Sequence, residues 1–238
     1  MSLSVLLSIY NKENITCFNK SMVSIWDSQL FKPDEIILVQ DGPLTAELYE
    51  SIEQWKYRLS TILVVVELKK NVGLARALNE GIKYCKGDYI ARMDTDDISM
   101  PERFQKQLEF LENNSDIDVV GTWISEIGED DQLIKEEIQY PLDHDELFKF
   151  FSKRDPIAHP TAMFRKTFFK KAGIYSSEVH LAEDTLLWYS AFMNKCKFAN
   201  IPYIGLQFRR TSNFICGVLI GKNLGDCYDF VYIKLIDH

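Results

Sequence analysis

Two rhythms of apolar residues alternate along this chain. Short aliphatic runs at Ser4 to Ile9, Glu35 to Val39 and Thr61 to Glu67 are nearly continuous in hydrophobicity, the pattern of strands buried on both faces. Amphipathic stretches separate them. Ile15, Phe18, Met22, Ile25 and Trp26 share one face of a helix, a second helix covers about Leu44 to Tyr57, and Leu74, Ala77, Leu78 and Ile82 form the stripe of a third. A fourth run, Tyr89 to Met93, ends in Asp94-Thr95-Asp96-Asp97, and Pro101 opens a helix reaching about Leu111. Strand and helix in this alternation predict an α/β fold with a mostly parallel central sheet built from βαβ units.

The second half is less regular. Asp118 to Ile127 and Gln132 to Tyr140 read as a hairpin around Gly128-Glu129-Asp130-Asp131, and Asp143 caps a helix running to Phe151. After a loop holding Pro156, His159 and Pro160, a strand and helix occupy Thr161 to Ala172. A helix then covers Leu181 to Asn194, and Lys197 to Phe208 carries one or two short strands before Arg209-Arg210. No linker separates independent domains. The expected division is one body over 1–210, with a nucleotide-binding half at 1–113 and an acceptor-side half at 114–210, followed by an atypical tail at 211–238.

Composition narrows the function. A net charge of −8 over 238 residues argues against nucleic-acid binding through a broad basic face. Five cysteines, scattered and without a Cys-x-x-Cys pair, fit free thiols in a reducing compartment. The chain opens directly into a strand without the basic region of a signal peptide, and no apolar segment has the length of a bilayer span. A cytoplasmic location is the expectation.

Asp94, Asp96 and Asp97 concentrate three carboxylates within four residues. Acids this close repel and stay ionised together only beside a cation, and hard oxygen ligands suit Mg²⁺ or Mn²⁺. The bland alternative is an acidic turn that caps the next helix. What favours the metal is convergence: Asp41 ends the second strand, and Ser8 and Tyr10 follow the first, so all reach the carboxyl edge of the sheet, where ligands bind in such folds. Arg76 and Lys70 flank the loop before the Asp-rich strand and are placed to meet phosphates or to hold Asp41. The segment 71–81 lacks the Gly-Lys-Ser/Thr ending of a P-loop, and no Gly-x-Gly-x-x-Gly follows the first strand.

Taken in order, Ser4-Val5-Leu6-Leu7-Ser8-Ile9-Tyr10-Asn11-Lys12-Glu13, Val39-Gln40-Asp41-Gly42-Pro43, Asn71 to Gly81, Asp94-Thr95-Asp96-Asp97, Ala158-His159-Pro160-Thr161 and Ala182-Glu183-Asp184-Thr185-Leu186-Leu187-Trp188 resemble the family 2 glycosyltransferases of GT-A fold. The branch is the bacterial one that builds O-antigen, capsule and exopolysaccharide units, and the likeness covers about residues 3 to 210. It implies that Ser8, Tyr10 and Asp41 hold the base of a nucleotide-sugar donor, with Arg76 close by. Asp94 and Asp96 become the Asp-x-Asp pair with Thr95 between them on the donor side. Asp96 is the expected direct ligand of Mn²⁺ or Mg²⁺, Asp97 a third acid of the same group, and His159 a further candidate at the metal or a phosphate. Asp184 is implied as the general base and Arg210, at a late basic position, as a contact to the donor phosphates. A saccharide or lipid-linked saccharide acceptor follows, with peripheral association at the inner membrane face. Leu186 and Ser190 depart from the family's pattern, as does the tail. A nucleotide-sugar-binding protein with impaired turnover, or a nucleotidyltransferase, would share several of these pieces.

Overall fold

The computed structural model describes residues 1–177 and 182–210, together with the backbone of two short strands at 218–220 and 232–234. Four parallel strands form its first half: β1 (Leu3–Ile9), β2 (Glu35–Gln40), β3 (Leu63–Glu67) and β4 (Tyr89–Arg92). They alternate with α1 (Ile15–Ile25), α2 (Ala46–Leu59) and α3 (Leu74–Ile82). Then come β5 (Ile98–Ser99), α4 (Arg103–Asn113), β6 (Val119–Ile127), β7 (Leu133–Ile138), α5 (His144–Phe150), β8 (Met163–Arg165), α6 (Phe168–Ala172), α7 (Glu183–Met193) and β9 (Phe198–Arg209). All nine strands join one sheet in the order β3-β2-β1-β4-β8-β6-β9-β5, with β7 on β6. Strands β6 and β9 run parallel to each other, and β5, β7 and β8 pair antiparallel to their neighbours. The sheet takes strands from both halves of the chain, and its alternation of strand and helix is the expected α/β architecture.

Strand alternation sorts the core. Leu3, Val5, Leu7 and Ile9 of β1 meet one face with Phe18 and Met22 of α1, Ile52 and Trp55 of α2, and Phe104 and Leu108 of α4. Leu6 of β1, with Ile37 and Val39 of β2, faces the other way onto Ala77 and Leu78 of α3 and onto an aromatic group around Trp188, Phe192 and Phe198. Within that group Phe192 and Phe198 stack at 4.1 Å between centroids. Two-sided burial is why these strands read as continuous apolar runs.

Three local features position the site. Asn14 caps α1, its side chain accepting from the amides of Thr16 and Cys17 at 2.8 and 3.2 Å. In β9, Pro202 has no N–H to give the ladder, and the register with β6 jumps from Thr122↔Ile201 to Trp123↔Ile204 across it. Past this bulge β9 pairs with β5 and brings Arg209 beside the Asp-rich loop. The third feature corrects the sequence reading. Pro101 and Glu102 form a turn and α4 begins at Arg103, with β5 standing between the acids and the helix. Glu102, at the N-cap, makes no side-chain cap bond. The acids therefore do not cap a helix, and the bland reading of Asp94 to Asp97 fails.

Among the described residues, Cys17, Cys85 and Cys196 are buried free thiols. No described helix is long and apolar enough to cross a membrane. In the tail, strands 218–220 and 232–234 pair antiparallel, and the remaining expectations for 211–238 lie outside the described residues.

Candidate active site

The carboxyl end of β1 is where the pieces meet. On one side the Asp41 amide donates to the carbonyl of Ile9 at 2.8 Å; on the other, the Thr95 hydroxyl reaches the carbonyl of Ser8 at 3.4 Å. Ser8 is half-buried and Tyr10 is exposed at the mouth of this edge. Asp41 is buried, and its two carboxylate oxygens accept from the amides of Val72 and Gly73 at 2.7 and 3.0 Å. Neither Lys70 nor Arg76 holds it, contrary to one expectation, because the loop offers backbone donors at shorter reach. Gly42 makes that approach feasible. Its φ is +88°, and a Cβ there would lie 2.4 Å from the amide nitrogen of Asn71. Arg76, in the first turn of α3, is exposed and makes no ion pair with a described residue.

Just beyond β4, one ligand oxygen from each of Asp94, Asp96 and Asp97 falls within 4.8 Å of the others. Arg92 is 3% exposed and forks onto both oxygens of Asp94, Nη1 donating to Oδ2 at 2.5 Å. Asp97 is fully buried. Its Oδ1 accepts from the Arg209 amide at 2.7 Å, and its Oδ2 has no partner. Asp96 keeps partial exposure, and among the described residues no side chain hydrogen-bonds its carboxylate; its carbonyl accepts from Arg209 Nε at 2.8 Å. Glu13 completes the acidic group by accepting from the Thr95 hydroxyl at 2.5 Å.

The electrostatics follow from crowding in a buried place. Burial first, then Asp94 and Glu13, pushes the Asp96 carboxyl up to about 7. Burial, with repulsion from Asp96 and Asp94, raises Asp97 well above the ordinary carboxylate range, against the pull of the Arg209 amide and Arg92. Three arginines offset the acids. Arg209 ties its guanidinium to the carbonyls of Asp96 and Gly128 and pairs with Asp131 at 2.6 Å, so the β6–β7 turn braces the acidic loop. Arg103 is fully buried beneath, donating to the carbonyl of Arg92 at 2.8 Å, and burial lowers it to about 9. The donor set fits a divalent cation: hard oxygens, one of them orphaned, in carboxyls that burial and mutual repulsion hold short of full charge.

Asp184 stands at the first turn of α7, where the helix dipole favours an anion. Its Oδ1 accepts from the Thr185 amide at 2.8 Å. Burial raises its pKa, Glu183 adds to the rise, and Arg92 opposes it. Arg92 thereby connects the two groups, paired with Asp94 and acting on Asp184. Around it sit Tyr175 and His159. His159 Nε2 lies 2.8 Å from the Tyr175 hydroxyl, and burial together with Arg92 holds the imidazole neutral. His159 is thus engaged with Tyr175 and is not among the three grouped carboxylates. Arg210 pairs with Glu126 at 2.9 Å, while its neighbour Arg209 has the buried place under the acids.

The structure brings together Ser8, Asp41, Asp94, Thr95 and Asp96 along one edge, with Tyr10 and Asp184 tied in by charge. Sequence reasoning missed Arg92 and Arg103, named Arg209 only beside Arg210 at the late basic position, and quoted Glu13 without giving it a role. The signal available for Arg92 was a lone charge inside an otherwise apolar strand.

A curled, mostly parallel sheet with acids at its carboxyl edge defines the GT-A class of sugar-nucleotide enzymes. The family model "Glycosyl transferase family 2" matches residues 4–173, and the chain belongs to that family. It is 35% identical over 213 residues to the amylovoran biosynthesis glycosyltransferase AmsE of Erwinia amylovora, covering 89% of this chain and 77% of AmsE. It is 32% identical over 206 residues to the Escherichia coli UDP-Gal:alpha-D-GlcNAc-diphosphoundecaprenol beta-1,3-galactosyltransferase, covering 87% of this chain and 73% of that enzyme. Among solved structures, Staphylococcus aureus TarS 1–349 in complex with UDP-GlcNAc superposes with a TM-score of 0.71 over 90% of this chain, at 20% identity, which establishes the shared fold. The chain spans 60% of the length of that TarS fragment.

Proposed function

We propose that this glycosyltransferase moves a sugar from a UDP-sugar to a hydroxyl of a saccharide or lipid-linked saccharide, inverting the anomeric carbon, in surface polysaccharide synthesis. The reading rests chiefly on one observation: three carboxylates, one with an orphaned oxygen, gathered within 4.8 Å at the carboxyl edge of the sheet. The relatives' names support the donor and acceptor classes, since one takes UDP-Gal and acts on a diphosphoundecaprenol-linked sugar, and another serves amylovoran biosynthesis. A lipid-linked acceptor would bring the enzyme to the inner face of the plasma membrane.

Asp96 is the carboxylate free to hold Mn²⁺ or Mg²⁺, with Asp97 Oδ2 behind it and Asp94 committed to Arg92. A bound divalent ion would supply positive charge where the leaving diphosphate gathers negative charge. Ser8, Tyr10 and Asp41 line the place of the base, Thr95 and Asp94 that of the ribose, and Arg76 and Arg210 are the basic groups for the phosphates. Asp184 takes the proton as the acceptor O–H bond breaks. The oxygen's electron pair forms the new bond to the anomeric carbon, and the bond to the β-phosphate oxygen breaks with its pair leaving on UDP. One displacement with one base inverts the centre.

Asp184→Asn tests the reading. With Mn²⁺ and UDP-sugar, wild type is expected to transfer, and the variant to bind donor while losing roughly 10²–10⁴-fold in turnover. A wild type that binds donor but never turns it over with any acceptor would support the impaired-binding alternative. Release of pyrophosphate in place of UDP would identify a nucleotidyltransferase.

A further inference from the structure

A second carboxyl stands behind the proposed base. Asp155 lies in the loop between α5 and β8, and Thr185, the residue after Asp184, donates its hydroxyl to both Asp155 oxygens at 3.0 and 3.2 Å. The same Thr185 gives its amide to Asp184 Oδ1 at 2.8 Å. One buried residue therefore carries both acids, one on its main chain and one on its side chain. We propose that Asp155 and Asp184 form a proton-sharing pair, in which Asp155 sets how much of the time the base is free to act. The proposal rests on the role of Asp184 given above and extends it to a residue that touches neither donor nor reacting atoms, so Asp155 is a positioning residue acting through Asp184.

The surroundings of the pair explain the sharing. Asp155 faces Asp184 and Thr185 of α7, its chain neighbour Arg154, and Tyr140 at the end of the β6–β7 hairpin segment. Arg154 is the cation on this side, and it is drawn over the Tyr140 ring at 4.9 Å from the centroid. Asp184 faces Glu183, Arg92 and Tyr175. Arg92 in turn is forked onto Asp94. Neither acid thus has a cation to itself, and a second negative charge in the pair goes largely uncompensated. Burial, then Asp184, pushes the Asp155 carboxyl up to about 8. Such acids titrate as a unit, with two apparent values that belong to the pair. Near neutrality the pair holds one proton, and while that proton resides on Asp184 the acceptor hydroxyl has no base. When the last proton leaves, Asp184 is ionised at all times and the second charge beside it makes it a stronger base.

Asp155→Asn keeps the shape and the acceptor oxygen for Thr185 while removing the second titration. For wild type, kcat/KM for the acceptor is expected to climb through two ionisations, the later one near pH 8. In Asp155→Asn the later rise disappears and activity reaches its plateau at lower pH. Thermal unfolding gives a readout without turnover. The Asp155 carboxyl is more easily kept protonated in the folded chain than in the unfolded chain, where it titrates near 3.8, so its contribution weakens the fold progressively as pH rises from there to about 8. Wild-type Tm should therefore fall relative to that of Asp155→Asn across this range and run parallel above it. Superimposable pH–rate profiles and parallel Tm curves, with Asp184→Asn inactive, would overturn the pairing and leave the function standing. An active Asp184→Asn would instead remove the base assignment beneath it.

Discussion

The acids proposed to serve the donor and those proposed to serve the acceptor are held in opposite ways. Asp94 is forked onto a buried arginine, Asp97 is pinned by the Arg209 amide, and Asp41 is clasped by two backbone amides. Each of these has partners that belong to the sheet or to loops anchored on it. Asp184 and Asp155 hang on a single threonine at the start of a helix, and the nearest cations are committed elsewhere. A site that must present fixed oxygens to a cation and a diphosphate gains from rigid anchoring, since preorganised charge costs no rearrangement during reaction. A base must instead gain and lose a proton, which is easier where burial and a neighbouring acid already raise the carboxyl's pKa.

The strongest way to break this contrast is to remove the brace. Arg209→Met leaves the loop acids beside one fewer buried cation and should cost about 3–5 kcal/mol, or roughly 10 °C in Tm. Calorimetry checks it, and an unchanged Tm would mean the β6–β7 turn does not hold the acids. A smaller effect is expected from Asp41→Asn. An amide can accept from only one of Val72 and Gly73 and turns an NH₂ group toward the other, a loss of about 1–3 kcal/mol that should appear as weaker donor binding before it appears in acceptor KM. Equal weakening of donor and acceptor would blur the division between the two sides.

Much of the frame was legible because its residues state their own period. The stripe of Leu74, Ala77, Leu78 and Ile82 falls within α3, and the two-sided strands β1 and β2 announced themselves as apolar runs. The Asp143 cap of α5 was legible as well, its side chain accepting from the Glu146 amide at 3.0 Å. Strand β5 was not, since two residues carry no period and their pairing with β9 closes over about a hundred residues. The choice between Arg209 and Arg210 also lay beyond local pattern, because one residue of register decides which side chain enters the body. Arg210, proposed for the donor phosphates, stays at the surface paired with Glu126, and Arg209 is the buried brace. Asp155 gave no signal at all, as its neighbour Asp184 lies 29 positions further along the chain and meets it only through the fold.

Binding of Mn²⁺ and UDP, measured together by calorimetry on wild type, Asp96→Asn and Asp184→Asn, tests most directly whether the fold gathers a cation and a diphosphate at the acidic edge. Each ligand should tighten the other in wild type and in Asp184→Asn, and that mutual tightening should vanish in Asp96→Asn. Binding of UDP that is indifferent to Mn²⁺ in wild type, or coupling that survives Asp96→Asn unchanged, would contradict it.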